Sequence, residues 1–422
     1  MRPVNILSIL ILLILLSFGQ TTARQEPLTN VLTLVLTIGG EDDKNAPEYL
    51  LAKPGDIAVT KSGDILISDE KRIKIFDSSG NGKAVCGGAG DGPGEFSMSR
   101  QVFIRISGER GVFPIIINLS PKGFITAFES SFSIGSADYY NIYTPEYKNY
   151  DRKLITGNSR VTAYLNDHGY DTRRTGIQNA VFLNENFTLF HLNLNNSFEE
   201  ILGYDDGKEF YVIQHYVKPG VFARGSGYST ITTDAQLRFV LLPNSDIVFC
   251  HGYYDSSLDE PEETVSLHIV CLDPYNEQTV QLPNIPVALT EQELEEKKEQ
   301  LESMKSRRNT VFDNETEKLL DDFFGKPYKP AFNKLMIDGN ILFINTFLKN
   351  EKDEYYTAVY NTETWEKISD FYTPEWFSGF KTDPFQTEKV VISDGYVYRL
   401  SSKTDEFPEV QKYRIDPKVY KK

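Results

Sequence analysis

An all-β fold, built from four-stranded antiparallel sheets arranged in a ring, is the class this sequence predicts. Three observations predict it. Short β-branched runs recur at a near-even interval, punctuated by Gly, Asp, Ser and Asn, as strands joined by tight turns require. Tyr (24) and Phe (27) far outnumber Trp (2) and Met (4), a bias suited to strands. An early strand has no sheet of its own, while the last sheet is one strand short.

A chain of 422 residues exceeds the usual single-domain size, but a ring grows by adding sheets. Hydrophobic residues make up 40% and aromatic residues 13%, ample for a packed core. The formal charge of −16 argues against nucleic acid as a partner, because a polyanion needs a basic face. The same charge keeps an exported protein soluble.

The chain opens with Arg2, an apolar run Ile6–Phe18 and the small-residue pair Thr21 and Ala23. This is the order of a signal peptide over residues 1–23, leaving 24–422 as the mature protein. The apolar run is short for a bilayer span and no Cys stands near the cleavage point, so no stable membrane anchor is expected. The expected location is periplasmic or extracellular.

Val31–Ile38 then reads as a strand, followed by two glycines. Next, Pro54–Phe96 holds four runs: Ile57–Val59, Ile65–Ile67, Ile73–Phe76 and the weaker Ala84–Cys86. Four antiparallel strands in a row form one blade of a β-propeller. This stretch resembles an NHL repeat through Ile57-Ala58-Val59, Ile65 with Asp69, Arg72-Ile73, Phe76-Asp77 and Gly90–Phe96. It departs from that pattern at Gly55-Asp56-Ile57 and over the polar residues 97–101. The remainder is similar, more loosely, to the six-bladed propellers of exported bacterial proteins.

Further blades follow. Phe113–Asn118, Gly123–Phe128 and Tyr139–Tyr143 are strand-like, as are Ala180–Leu183, Phe187–Asn193 and Phe210–Tyr216; register is ambiguous over 100–111 and 158–174. Leu237–Leu242, Asp246–Cys250, Ser266–Leu272 and Thr279–Leu282 make the clearest middle blade. Lys334–Ile337, Ile341–Phe347, Tyr355–Asn361 and Glu366–Tyr372 make the next. Lys389–Ser393, Tyr396–Ser401 and Val410–Ile415 give a final blade with three strands, so Val31–Ile38 is expected to complete it as the outermost strand. The total is a six-bladed β-propeller closed by an N-terminal strand.

A small helical insertion interrupts it over about 290–325. Thr290 and Glu293 form a capping box, and the run to Arg308 carries only Leu294, Leu301 and Met304 as apolar residues. A second helix is expected from Asn314, with Leu319, Leu320, Phe323 and Phe324 on its apolar face.

No catalytic, cofactor-binding or metal residue is singled out. Cys250-His251 and His268 with Cys271 suggest a metal site, but strand alternation sends each pair to opposite faces. Cys250 and Cys271 end neighbouring runs and either form a disulfide or remain buried thiols. The acidic runs 255–263 and 41–43 lack the spacing of a calcium loop, and Gly87–Gly94 lacks the Lys-Ser/Thr of a phosphate loop. Tyr139, Tyr140, Tyr143, Tyr147 and Tyr150 crowd one region, and Trp376 lies within Phe371–Phe380. These aromatics suit either carbohydrate and peptide contacts or packing between blades.

The NHL resemblance implies a non-enzymatic scaffold for a protein, peptide or carbohydrate ligand. The alternative is a propeller enzyme of the lactonase, lyase or hydrolase kind, with a metal-assisted site in the central channel. No cofactor is evident, and a channel-bound divalent metal such as calcium stays open. Carboxylates and imidazoles converging at a channel mouth would favour the enzyme; a neutral lining would favour binding.

Overall fold

The computed structural model describes residues 27–41, 43–96, 101–103, 110–112, 114–129, 139–154, 159–172, 175–194, 199–217, 220–223, 229–232, 237–251, 263–306, 328–378, 387–402 and 406–421. Six four-stranded antiparallel sheets form a six-bladed β-propeller. Blade 1 is Pro54–Val59, Ile65–Asp69, Arg72–Phe76 and Gly82–Gly87, the stretch that resembles an NHL repeat. Blade 2 is Ile115–Leu119, Ile125–Glu129, Tyr139–Tyr143 and Asn149–Leu154. Blade 3 is Gly176–Phe182, Thr188–Leu194, Glu199–Asp205 and Phe210–Val217. Blade 4 is Leu237–Leu241, Ile247–His251, Thr264–Leu272 and Tyr275–Pro283. Blade 5 is Lys334–Asp338, Ile341–Lys349, Tyr355–Asn361 and Lys367–Thr373. Blade 6 is Thr387–Ser393, Tyr396–Ser402 and Glu409–Ile415, with Leu32–Gly39 as its outermost strand.

In blade 1 the first three strands are covered on both faces, while first strands elsewhere, such as Leu237–Leu241, are partly open to the channel. In blade 1, Pro54–Val59 and Ile65–Asp69 are buried throughout, whereas Gly82–Gly87 alternates between half-buried and exposed. Continuous apolar runs inside and alternation at the rim follow from sheets stacked face to face around an axis. The core is accordingly divided into six clusters, one between each pair of neighbouring blades. Phe76, Tyr398 and Leu400 belong to the cluster between blades 6 and 1, which also takes Ile38 from the N-terminal strand.

Closure occurs as expected. Leu32 pairs with Ile415 and Gly39 with Glu409, with a bulge between Leu34 and Leu36. The burial differs from a simple alternation: Leu34 and Val35 are 49% and 47% exposed, while Val31 and Ile38 are buried. An outermost strand has neighbours on one edge only, and the bulge turns its middle residues outward. Closure therefore rests on main-chain pairing and on the two ends of the strand. Leu28 extends the tie to blade 5, donating its amide to Asp370 O (2.9 Å) and accepting from Tyr372 N (3.1 Å).

Several elements escaped the sequence reading, among them Asn149–Leu154, the outer strand of blade 2, together with one strand of blade 3 and a helix. Glu199–Asp205 begins with two glutamates and is broken by Gly203, so it lacks a β-branched run. Gly203 is needed because a Cβ there would lie 2.6 Å from both the Phe210 ring and Tyr211 O. A helix, α1 (Arg160–Asp167), occupies the stretch of ambiguous register. Ser159 Oγ caps it by accepting from Thr162 N at 3.2 Å, and Val161 and Leu165 bury one face between blades 2 and 3.

The insertion contains α2 (Glu291–Ser306). Its capping box is formed: Glu293 N donates to Thr290 Oγ1 at 3.2 Å, and Thr290 N donates to Glu293 Oε2 at 2.9 Å. Glu293 also holds Lys329 Nζ at 2.6 Å. The second helix expected from Asn314 lies outside the described residues.

Of the two alternatives for Cys250 and Cys271, the free thiols hold: Cys86, Cys250 and Cys271 are all unbridged. Phe249 pairs with His268 and Ile247 with Val270, so Cys250 and Cys271 lie at opposite ends of that strand pair. The four-residue offset is roughly 13 Å, beyond the reach of a disulfide. Burial pushes the Cys86 and Cys250 thiols up to about 12.

Candidate ligand site in the central channel

The first strand of each blade faces the ring axis, and together they enclose a channel of about 830 Å³. This is within the range of small-molecule sites. Neutral amides of Asn118, Gln178, Asn179 and Asn333 share its wall with the apolar Ile116, Leu237 and Val391. Charged groups on its wall come from blades 1, 4, 5 and 6: Asp56, Arg238, Lys334, Glu388 and Lys389.

Each is placed by its strand. Asp56 is buried on the first strand of blade 1, and its Oδ2 accepts the amide of Ile117 in blade 2 at 2.9 Å. Lys389 Nζ, from blade 6, stands 3.8 Å from Asp56 Oδ1. Burial raises the Asp56 carboxyl above its ordinary value, opposed by Lys389 and by the Ile117 and Ile57 amides. Asp56 therefore partly answers Lys389 while its main structural partner is a backbone amide.

Lys334 lies in blade 5 and donates Nζ to Val390 O of blade 6 at 3.1 Å. Among the described residues no carboxylate comes within ion-pair distance of it. Lys334 is half-buried at the channel wall, and Lys389 and Arg238 add like charge near its amine. Burial first, then these two cations, push the amine down to about 7, against the weaker pull of Asp56 and Glu388. Glu388 is itself engaged, accepting from Arg399 Nε at 2.6 Å.

Where blade 3 meets blade 4, His191 packs its ring on Phe239 and its Nε2 lies 3.6 Å from Glu200 Oε2. Glu200 is buried and accepts the Leu237 amide at 2.6 Å, joining blade 3 to blade 4. The same device recurs between blades 2 and 3, where Thr126 Oγ1 accepts the Phe182 amide at 2.8 Å. Side chains of one blade thus cap main-chain amides of the next around the ring.

The remaining histidines and the aromatic residues weighed from sequence do not converge on the channel. His168 stacks on Tyr164, His215 Nε2 meets Glu199 Oε2 at 2.7 Å, and His268 stacks on Phe249. Among the described residues, no three of His, Cys, Asp and Glu stand close enough to share a metal ion. The tyrosine-rich region serves packing. Tyr143 Oη donates to Gly94 O at 2.7 Å and Tyr139 Oη to Glu95 O at 3.2 Å, pinning the glycine loop between blades 1 and 2. Trp376 is stacked on Tyr413 with the Arg399 guanidinium over its ring. Most of the run 255–263, and Asp42, lie outside the described residues.

The charged wall was not singled out from sequence, although one sign of it stood there. Asp56 sits where blade 1 departs from the NHL pattern, and Arg238, Lys334 and Lys389 likewise place charge inside strands that otherwise read as buried.

No family profile matches the chain, so the repeat resemblance rests on the residues of 54–96. No curated protein matches it either. Solved structures do. A Bacteroides fragilis protein described as a candidate exported protein is similar at 11% identity, over 93% of this chain and 97% of that one, with a TM-score of 0.45. An ulvan lyase of polysaccharide lyase family 25, bound to a glucuronate–sulfated rhamnose segment, is similar at 9% identity, over 87% and 83%, with a TM-score of 0.37. The β-propeller domain of the Trilobed protease from Pyrococcus furiosus follows at 8%, over 84% and 78%, with a TM-score of 0.34. Likenesses this distant carry no ligand or chemistry across, and the propeller architecture stands on the sheet order of this chain.

Proposed function

We propose that this chain is an exported, non-enzymatic binding scaffold whose ligand enters the central channel. Export rests on the signal-like order of residues 2–23, which lie outside the described residues. The observation that carries the binding reading is the channel itself: about 830 Å³, with amides, cations and apolar side chains from all six blades on one surface. Such mixed lining, a few polar groups against apolar walls, is what orients a small ligand. Carbohydrate and peptide ligands both fit that description, and the acidic surface disfavours nucleic acid.

The second reading, an enzyme of the lactonase, lyase or hydrolase kind, has one observation in its favour. An amine near 7 at a channel wall accepts protons at neutral pH.

The test uses secreted protein purified without its first 23 residues, screened against sugars, peptides and carboxylic acids for a rise in melting temperature. Gln178→Trp, at an exposed channel position, serves as the plugged control. Stabilisation lost in that variant, with the ligand recovered intact, supports the scaffold. Equal stabilisation in both proteins overturns the channel site, and a chemically altered ligand overturns the non-enzymatic reading.

A further inference from the structure

Resting on the channel reading above, we propose that the occupant is an uncharged sugar, held where blade 3 meets blade 4 by the side-chain amides of Gln178 and Asn179 beside His191 and Phe239. The first strand of blade 3 carries a bulge between Ile177 and Asn179, with Gln178 as its extra residue. Regular alternation would send one of two successive side chains away from the axis, yet Gln178 and Asn179 both line the channel. Gln178 is exposed and Asn179 half-buried, and neither side-chain amide has a protein partner among the described residues.

Blade 1 shows what a purely structural bulge looks like in this ring. Its extra residue is Gly55, where a Cβ would lie 2.5 Å from Pro114 Cβ, so close packing between blades 1 and 2 explains it. Gln178 instead carries a long polar side chain into the open channel. A wall that met only water would not need a break in its ladder to place a second amide there. His191, opposite Asn179 in the strand register, is 6% exposed, and its Nε2 reaches no hydrogen-bond partner among the described residues. A ligand hydroxyl, directly or through a water, satisfies a buried polar atom left unmet at a cavity wall.

The chemistry of this corner selects the ligand class. Amides and a neutral imidazole each offer a donor and an acceptor, as a sugar hydroxyl does. The Phe239 ring, 5.9 Å from the imidazole, supplies an apolar surface for the C–H face of a pyranose. The charges of the wall are answered within the protein. Lys389 stands 3.8 Å from Asp56, Glu388 holds Arg399, Arg238 has its own partner and Lys334 is tied to Val390 O. A charged ligand, a short peptide with its ionised termini included, would have to displace those contacts, whereas an uncharged one leaves them in place.

Calorimetry and thermal shift with maltotriose, cellotriose and xylotriose, beside glucose and xylose, test this; trigalacturonate, trialanine and spermidine are the charged controls. The proteins are wild type, Gln178→Ala, Asn179→Ala and the plugged Gln178→Trp. Gln178→Ala, at an exposed position, keeps the test open if Asn179→Ala fails to fold. Expected is binding of at least one uncharged sugar, about tenfold weaker in either alanine variant and lost in Gln178→Trp. It should be unchanged between about 50 and 500 mM salt, because no net charge is exchanged. A trisaccharide that binds more tightly than its monosaccharide identifies a chain, and equal affinities identify a free sugar. Sugar binding that both alanine variants retain in full overturns the amide assignment, and retention in Gln178→Trp as well overturns the channel site itself. A charged control bound in the channel, with no sugar bound, overturns the sugar while leaving the channel site standing. No sugar binding at about 10 mM likewise overturns the sugar.

Discussion

Asp56 Oδ2 accepts the main-chain amide of Ile117 at 2.9 Å, so a carboxylate of blade 1 completes the first strand of blade 2. Asp56→Ala should strand that buried amide and leave Lys389 without its carboxylate, a loss of about 2–4 kcal/mol in urea denaturation. Asp56→Asn retains an acceptor and should recover most of it. Equal losses in both variants would show that charge, not the amide bond, is what matters there.

Lys334 sets a pH dependence of stability. Its folded value near 7 is below its ordinary value of 10.5, so the unfolded chain binds more protons between those limits. Stability attributable to this residue should therefore rise from about pH 7 toward 10.5. Lys334→Met should be more stable than wild type at pH 6–7, by about 1–3 kcal/mol, with the gap closing as pH increases. Denaturant titrations at pH 6, 8 and 10 measure it; a gap that widens with pH contradicts the assignment.

Removing residues 25–38 should open blade 6. The strand edge at Glu409–Ile415 loses its partner and the blade 6–blade 1 cluster loses Ile38. A drop of about 3–5 kcal/mol is expected, with concentration-dependent association through the bare edge. The missing segment added as a peptide should restore part of the melting temperature.

Replacing 291–306 by a short Gly/Ser linker should leave the melting temperature within about a degree. Leu294 is half-buried, and the Glu293–Lys329 pair is a surface contact worth about 0.2–1 kcal/mol. A fall of several degrees would show that α2 braces the ring.

Thiol labelling checks the cysteines. Cys271, half-buried at a hairpin, should react first in native protein, while Cys250, fully buried between blades 4 and 5, should react only on denaturation. A mass two units low before reduction would contradict free thiols.

The sequence by itself determined the ring. Strand periodicity in 54–96, the turn residues between runs and the orphan N-terminal strand are local properties, set by side-chain alternation and backbone preference within a few residues. They gave six blades and the closing pair of Leu32–Gly39 with Glu409–Ile415. Glu199–Asp205 and α1 were hidden because inter-blade packing, not local propensity, holds them in place. The charged wall was decided by tertiary structure alone. Asp56, Arg238, Lys334 and Lys389 are far apart in the chain and meet only because each lies on a first strand at the axis. Their charges acquire a meaning there through burial and mutual repulsion, which act through space and leave no spacing in the sequence.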